Sequence, residues 1–297
     1  MLDPVQLFAF EDHVDQRTVR ADTLVVTLGS FSDAGAAQRI INTHLIDTLP
    51  SHLLGHFDTD QLLDYRAQRP MIDFDHDHFQ NYQRPEIRLH RVEDSDGRSF
   101  LLLSGPEPSL QWERMAASVE YLIDKFDITH TYLLSSVPSP TPHTRNPYVA
   151  YYAGDPQALT KRQPIPGVFR FSASFTALLA VRLHEAGRAI TGLSAHIPHY
   201  VAEGEYPQAA LALLTELGEA SGLKVPTREL AVASGIVRAQ LGVQFEADED
   251  AMAKLHGLEE QFDAWMNQAA LPSPEDLPDA EELGAEIEDY LRTLDQE

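Results

Sequence analysis

The 297-residue chain has no cysteine, which excludes disulfides, thiolate metal sites and a cysteine nucleophile. Basic residues are scarce: 22 Lys and Arg stand against 46 Asp and Glu, a formal net charge of −24. Binding to nucleic acid or to anionic lipid needs a clustered basic face, so neither nucleic acid nor a membrane is an expected partner. Long apolar runs are missing as well. The longest, over 171–181, lies between Arg170 and Arg182 and is far shorter than the ~20 residues that cross a bilayer. The start, Met1-Leu2-Asp3-Pro4, carries neither the basic residues nor the apolar stretch of a secretory signal. These absences lead to the expectation of a soluble, cytoplasmic protein.

Catalytic signatures are also lacking. His184-Glu185 is followed by Ala186, Gly187 and Arg188, so the two-histidine zinc motif is not formed. Gly192-Leu193-Ser194-Ala195-His196 misses the last glycine of a nucleophile elbow. The stretch from Gly29 to Gly35 has neither the three glycines of a dinucleotide fingerprint nor the lysine of a P-loop. No cofactor and no metal is expected.

What is present is an ordinary globular composition, 43% hydrophobic, with charge unevenly placed. Positions 243–297 hold 17 acidic and 2 basic residues. In this stretch Leu255, Leu258, Phe262, Trp265, Met266 and Ala269 recur at helical spacing, as do Leu277, Leu283, Ile287, Tyr290, Leu291 and Leu294. Leu271-Pro272-Ser273-Pro274 separates the two sets. The expectation is a core domain over 1–225 and an acidic helical extension over 226–297.

The core alternates strand and helix patterns. Leu24-Val25-Val26-Thr27-Leu28 predicts a buried strand, and the apolar spacing over 33–49 a helix. Residues 86–92 alternate with period two, turn at Asp94-Ser95-Asp96-Gly97 and return over 99–103, a hairpin. Helices over 109–126, 171–186 and 207–221 then alternate with strands over 130–135, 147–152 and 189–195. This order predicts an α/β fold with a three-layer α/β/α core and a mixed, mostly parallel sheet.

Three strand ends run into polar loops: 29–35, 135–147 and 196–200. In open α/β sheets ligands sit beyond the carboxyl ends of the strands, and parallel strands would bring these loops to one rim with Asp33, His143, Arg145 and His199. Asp33 is either a helix N-cap or a catalytic carboxylate. Pro138, Pro140, Pro142 and Pro147 stiffen the second loop, making it a holder for His143 and Arg145 or a rigid connector. Arg145 suits bidentate contact with a carboxylate or phosphate, from a ligand or a neighbouring subunit. Asp64-Tyr65-Arg66-Ala67-Gln68-Arg69-Pro70 offers an anion site, an interface anchor or a solvated helix end. Asp73-Phe74-Asp75-His76-Asp77-His78 reads as a polar surface loop rather than a metal site; in an extended chain His76 and His78 would share one face. Glu107, between Pro106 and Pro108, is a buried acid or a charged turn.

Five groups of residues, in this order, resemble the proteasome assembly chaperone 2 family in its actinobacterial-type form. They are Ser32-Asp33-Ala34-Gly35; Asp64-Tyr65-Arg66 with Arg69-Pro70; Gly105-Pro106-Glu107-Pro108 leading to Trp112; Pro142-His143-Thr144-Arg145; and Gly192-Leu193 with Pro198-His199-Tyr200. Together they span about residues 20–225. The resemblance implies a core similar to that of nucleoside phosphorylases and hydrolases, and self-association as a homotrimer. It also implies a protein partner, since members of this family bind proteasome α subunits, some through a C-terminal hydrophobic-Tyr-x tail. The chain ends Leu294-Asp295-Gln296-Glu297 and departs from that tail. Two functions follow as expectations. One is a non-enzymatic, self-assembling interaction or assembly factor, with Arg66 and Arg145 as interface anchors. The other is an enzyme or ligand binder with a phosphorylase-like pocket, in which His143 or His199 moves protons and Arg66, Arg69 and Arg145 hold an anionic group.

Overall fold

The computed structural model describes residues 2–29, 33–159 and 170–269. Eight strands form one mixed sheet: β1 (Phe8–Phe10), β2 (Thr23–Leu28), β3 (Ser51–Phe57), β6 (Arg88–Glu93), β7 (Ser99–Gly105), β8 (His130–Ser139), β9 (Tyr148–Ala153) and β10 (Ile190–Pro198). Their order is β1-β3-β6-β7-β2-β8-β10-β9. The four central strands, β7, β2, β8 and β10, run parallel, and the flanking strands pair antiparallel. β4 (Asp73–Asp75) and β5 (His78–Gln80) form a separate two-stranded hairpin.

The sequence explains this order. β2, Thr-Leu-Val-Val-Thr-Leu, is buried at every position, as a central parallel strand covered on both faces must be. The β6–β7 hairpin closes as its Asp-Gly step predicts, with Gly97 at φ +81°. Helices α3 (Trp112–Lys125) and α4 (Phe175–Glu185) cover one face, where Val119, Leu122, Leu179 and Leu183 meet Leu24, Val26, Leu101 and Leu133. Helices α1 (Ala37–Thr48) and α5 (Pro207–Ser221) cover the other, with Ile41, Leu45, Leu213 and Leu217 against Val25, Leu102, Leu134 and Leu193. Each such buried side chain contributes roughly 1.5–3 kcal/mol. A four-residue helix, α2 (Thr59–Leu62), follows β3.

The three-layer α/β/α architecture with a mixed sheet is therefore the expected one, with three corrections. β1 and β3 add antiparallel strands that the hydrophobic pattern does not announce. α1 begins at Ala37 rather than at Asp33, because Gly35 (φ 68°) and Ala36 (φ 52°) break the preceding turn. Residues 73–80, expected as a polar loop, are a hairpin, and His76 occupies its turn at φ 51°, so His76 and His78 do not line one extended face. Beyond the core, α6 (Arg228–Glu246) packs on α5 through Leu230, Val237 and Leu241. α7 (Glu249–Ala269) lays Phe262, Trp265 and Met266 on Tyr148 and Ala150 of β9. The second helical pattern, from Leu277 to Leu294, lies outside the described residues.

Candidate functional site

The parallel strands bring the ends of β2, β7, β8 and β10 to one edge of the sheet, and the three polar loops meet there. An isolated bridge joins Asp33 to Ser136, whose Oγ donates to the Ala34 carbonyl at 2.8 Å. The Gly35 N–H donates to Ala202 at 2.7 Å and the Tyr206 N–H to Gly35 at 2.8 Å, stitching the loop after β2 to the loop after β10. A Cβ on Gly35 would stand 2.8 Å from both Ile197 and Tyr206, so this close approach needs glycine. Asp33 Oδ1 accepts the Gln38 N–H at 2.6 Å and so caps the first turn of α1. Burial raises its pKa to about 6, with the Gln38 and Arg39 amides and the Arg39 charge holding it back.

Glu107, on the loop after β7, is buried. Its Oε1 accepts the Phe175 N–H at 2.5 Å, while Ser174 Oγ accepts the Ala177 N–H at 3.1 Å. A carboxylate at the start of α4 complements the exposed N–H groups and the positive end of the helix. This is the buried-acid alternative, spent on a helix terminus.

His143 is completely buried. Its backbone N–H donates to Tyr200 Oη at 2.9 Å, and the same hydroxyl lies 2.9 Å from its Nδ1. Its Nε2 has no partner among the described residues. The ring packs between Tyr200 and Phe245 of α6. Burial lowers its pKa, Arg238 lowers it further and Glu259 opposes both.

Arg145 makes the bidentate contact its chemistry suits, with a carboxylate of its own chain. Nε and Nη2 donate to the two oxygens of Asp263 at 3.0 and 2.8 Å, and Nη1 reaches Glu259 at 3.2 Å. His199 is exposed, its ring edge-on to Tyr200. Arg66 and Arg69 are exposed after α2; the Arg66 N–H donates to Asp64 Oδ1 at 2.9 Å, and neither guanidinium is tied to another candidate residue.

The structure thus brings Asp33, His143, Arg145 and His199 to one edge, each in its own structural contacts. A cleft of about 350 Å³ lies elsewhere, between Ser95, Leu214, Thr215 and Lys224. A smaller apolar groove of about 290 Å³ is lined by Leu2, Gln111, Trp112, Glu113 and Arg114. Among the described residues no three His, Asp or Glu side chains gather to hold a metal. His76 and His78 instead pair with Asp75 and Asp77.

One pair at this edge escaped the sequence reading. Ser139 Oγ lies 2.8 Å from His196 Nδ1, across adjacent parallel strands. Both residues fall within polar loops seen in the sequence, but only the register of β8 against β10 makes them neighbours.

A family model described as PAC2 family matches residues 27–244. The chain belongs to the PAC2 family. This is the family that the five residue groups resemble. A structure from Mycobacterium tuberculosis, described as a protein of unknown function, is 34% identical with a TM-score of 0.83, covering 88% of this chain and 92% of that one. A Corynebacterium glutamicum protein of unknown function is 30% identical, with a TM-score of 0.82 over 89% and 99% of the two chains. A proteasome-assembly chaperone homologue from Mycobacterium tuberculosis shares the fold at 21% identity and a TM-score of 0.72, over 78% and 99%. No curated protein matches the chain. Among the described residues no helix is long and apolar enough to cross a membrane.

Proposed function

We propose that this PAC2 protein is a self-assembling interaction factor of the cytoplasm, a homotrimer that acts by binding protein and not by turning over a small molecule at the candidate residues. The observation that carries this reading is the β4–β5 hairpin. It stands out from the core with Met71 66%, Ile72 45%, Phe74 63%, Phe79 68% and Tyr82 53% exposed. Phe74 and Phe79 are cross-strand partners with ring centroids 5.0 Å apart, so the two rings form one apolar face. A contiguous exposed apolar patch marks an interaction surface in a folded protein, and a hairpin that can reach a neighbouring copy suits closed, symmetric assembly.

The geometry of the candidate residues supports binding over a ligand pocket. His143 is sealed under α6, Arg145 is neutralised by Asp263 and Glu259, and Glu107 caps α4. The fold relative named as a proteasome-assembly chaperone homologue supports an assembly role with protein partners. Sedimentation of the parent and of the Phe74→Ser/Phe79→Ser variant tests the reading. The parent should sediment at about three times the 33.1 kDa chain mass and the variant as single chains with unchanged circular dichroism. A monomeric parent, or a trimeric variant, would refute it.

A further inference from the structure

We propose that Ser139 and His196 form a nucleophile–base pair that takes up acyl groups from activated esters. This activity uses residues outside the candidate set and is independent of self-assembly.

The pair is built by strand register. His196 lies opposite Val137 on β8 and opposite Tyr148 on β9, and Ser139 is two residues beyond Val137. Side chains two apart on a strand share a face, so Ser139, His196 and Tyr148 all project from the same side of the sheet edge. Ser139 Oγ and His196 Nδ1 are at hydrogen-bond distance, 2.8 Å, the arrangement in which a base activates a weak nucleophile. Both side chains remain partly accessible. The Tyr148 ring packs against the imidazole with centroids 5.4 Å apart and is itself backed by Trp265 at 4.6 Å, which fixes the imidazole plane.

The protonation states suit this role. Burial lowers the pKa of His196, so at neutral pH its imidazole is uncharged and Nδ1 can accept the serine proton. Burial pushes the Tyr148 phenol up to about 12, so it keeps its proton. Its hydroxyl is buried and has no partner among the described residues. No carboxylate among the described residues hydrogen-bonds His196. The base lacks the orienting acid of a full triad, which directs the pair to esters with good leaving groups and away from amides.

In the acylation step, Ser139 Oγ bonds to the ester carbon as its proton passes to His196 Nδ1. The bond from that carbon to the leaving oxygen breaks, and the leaving alcohol or phenol takes the proton from His196. Water then adds to the acyl carbon and gives its proton to His196. The ester bond to Oγ breaks, Oγ recovers a proton through the imidazole, and the carboxylic acid departs. Only water is consumed besides the ester, and nothing is oxidised or reduced.

The full chain would be treated with a fluorophosphonate and, separately, with p-nitrophenyl acetate, and the adduct mapped by peptide mass spectrometry. The expected result is a single adduct on Ser139, absent in Ser139→Ala and formed about 100-fold more slowly or worse in His196→Gln, with both variants keeping the parent's solution mass. If His196→Gln does not fold, the parent's pH profile replaces it: the rate must rise with unit slope through one ionisation below neutrality and then level off. An unlabelled Ser139 in the folded parent, equal labelling in His196→Gln, or a rate still climbing in alkali would overturn the proposal.

Discussion

Arg145, on the loop that leaves β8, grips Asp263 of α7 through two parallel hydrogen bonds of 3.0 and 2.8 Å. The two residues are 118 positions apart, and the contact ties the last described helix to the edge where the polar loops meet. The pairing holds the Asp263 carboxyl below its usual range, with the Arg145 hydrogen bond as the main cause.

Arg145→Ala should loosen α7 and leave the sheet intact. Both partners are substantially exposed, so salt weakens the contact in the parent as well. Hydrogen exchange is expected to speed up across Glu249–Ala269 and to stay unchanged in β2 and β8. Uniform acceleration through the whole chain would mean that the pair supports the core and not only the helix.

Phe262 is the apolar counterpart of that grip, 8% exposed against Tyr148 and Ala150. Phe262→Ala should cost α7 docking about 3 kcal/mol. Tryptophan emission should shift to the red as Trp265 leaves Tyr148, while the far-ultraviolet melting curve of the core stays in place. An unshifted spectrum would contradict this packing.

Asp33 gives a pH dependence whose sign is set by burial. Its folded pKa, about 6, lies above the ordinary 3.8, so the folded chain holds the proton more tightly than the unfolded one. Stability from this group is therefore full below pH ~4 and lost as pH rises toward ~6, on the order of 3 kcal/mol. Asp33→Asn keeps an oxygen for the Gln38 N–H and removes the charge. Urea unfolding should find the variant more stable than the parent at pH 7.5 and nearly equal at pH 4. A variant less stable at pH 7.5 would show that the ionised carboxylate is needed.

Asp94 works in the opposite direction. Burial alone would raise its pKa, but the N–H groups of Lys224, Arg98 and Asp96 and the Arg98 charge outweigh burial and lower it. The Arg98 and Asp96 N–H bonds, at 2.8 and 3.0 Å, close the β6–β7 turn on Asp94, and the Lys224 N–H bond, at 2.8 Å, pins the segment between α5 and α6 to that turn. Asp94→Ala should destabilise the fold by about 1–3 kcal/mol at neutral pH. The difference should shrink in acid, as the folded carboxyl of the parent takes up its proton. A pH-independent difference in chemical denaturation would exclude this role for the charge.

Elements with strong local patterns were legible in the sequence. α5 spans Pro207–Ser221 and stops at Gly222, φ 76°, as its terminal proline and glycine predict. The carboxyl-edge meeting of the polar loops followed from the alternation of strands and helices. β3 was not legible: Ser-His-Leu-Leu-Gly-His-Phe has no clean period, and its register shifts between Leu53 and Gly55. The hairpin arm was missed because each of its strands carries one aromatic among Asp, His and Gln, so its apolar face exists only after pairing. Residue types marked Arg145 and Glu107 as notable, but their partners, Asp263 and the Phe175 amide, come from distant segments. Exposure separates Arg66, Arg69 and His199 from the buried Glu107, and that is a property of the folded surface.

Hydrogen exchange of residues 71–82 at a series of chain concentrations tests the interaction account most directly. The hairpin's apolar face is exposed within its own chain, so protection that depends on concentration must come from another copy. The account predicts slow exchange at high concentration that becomes fast on dilution, while the sheet is unaffected. Fast exchange at every concentration would contradict it.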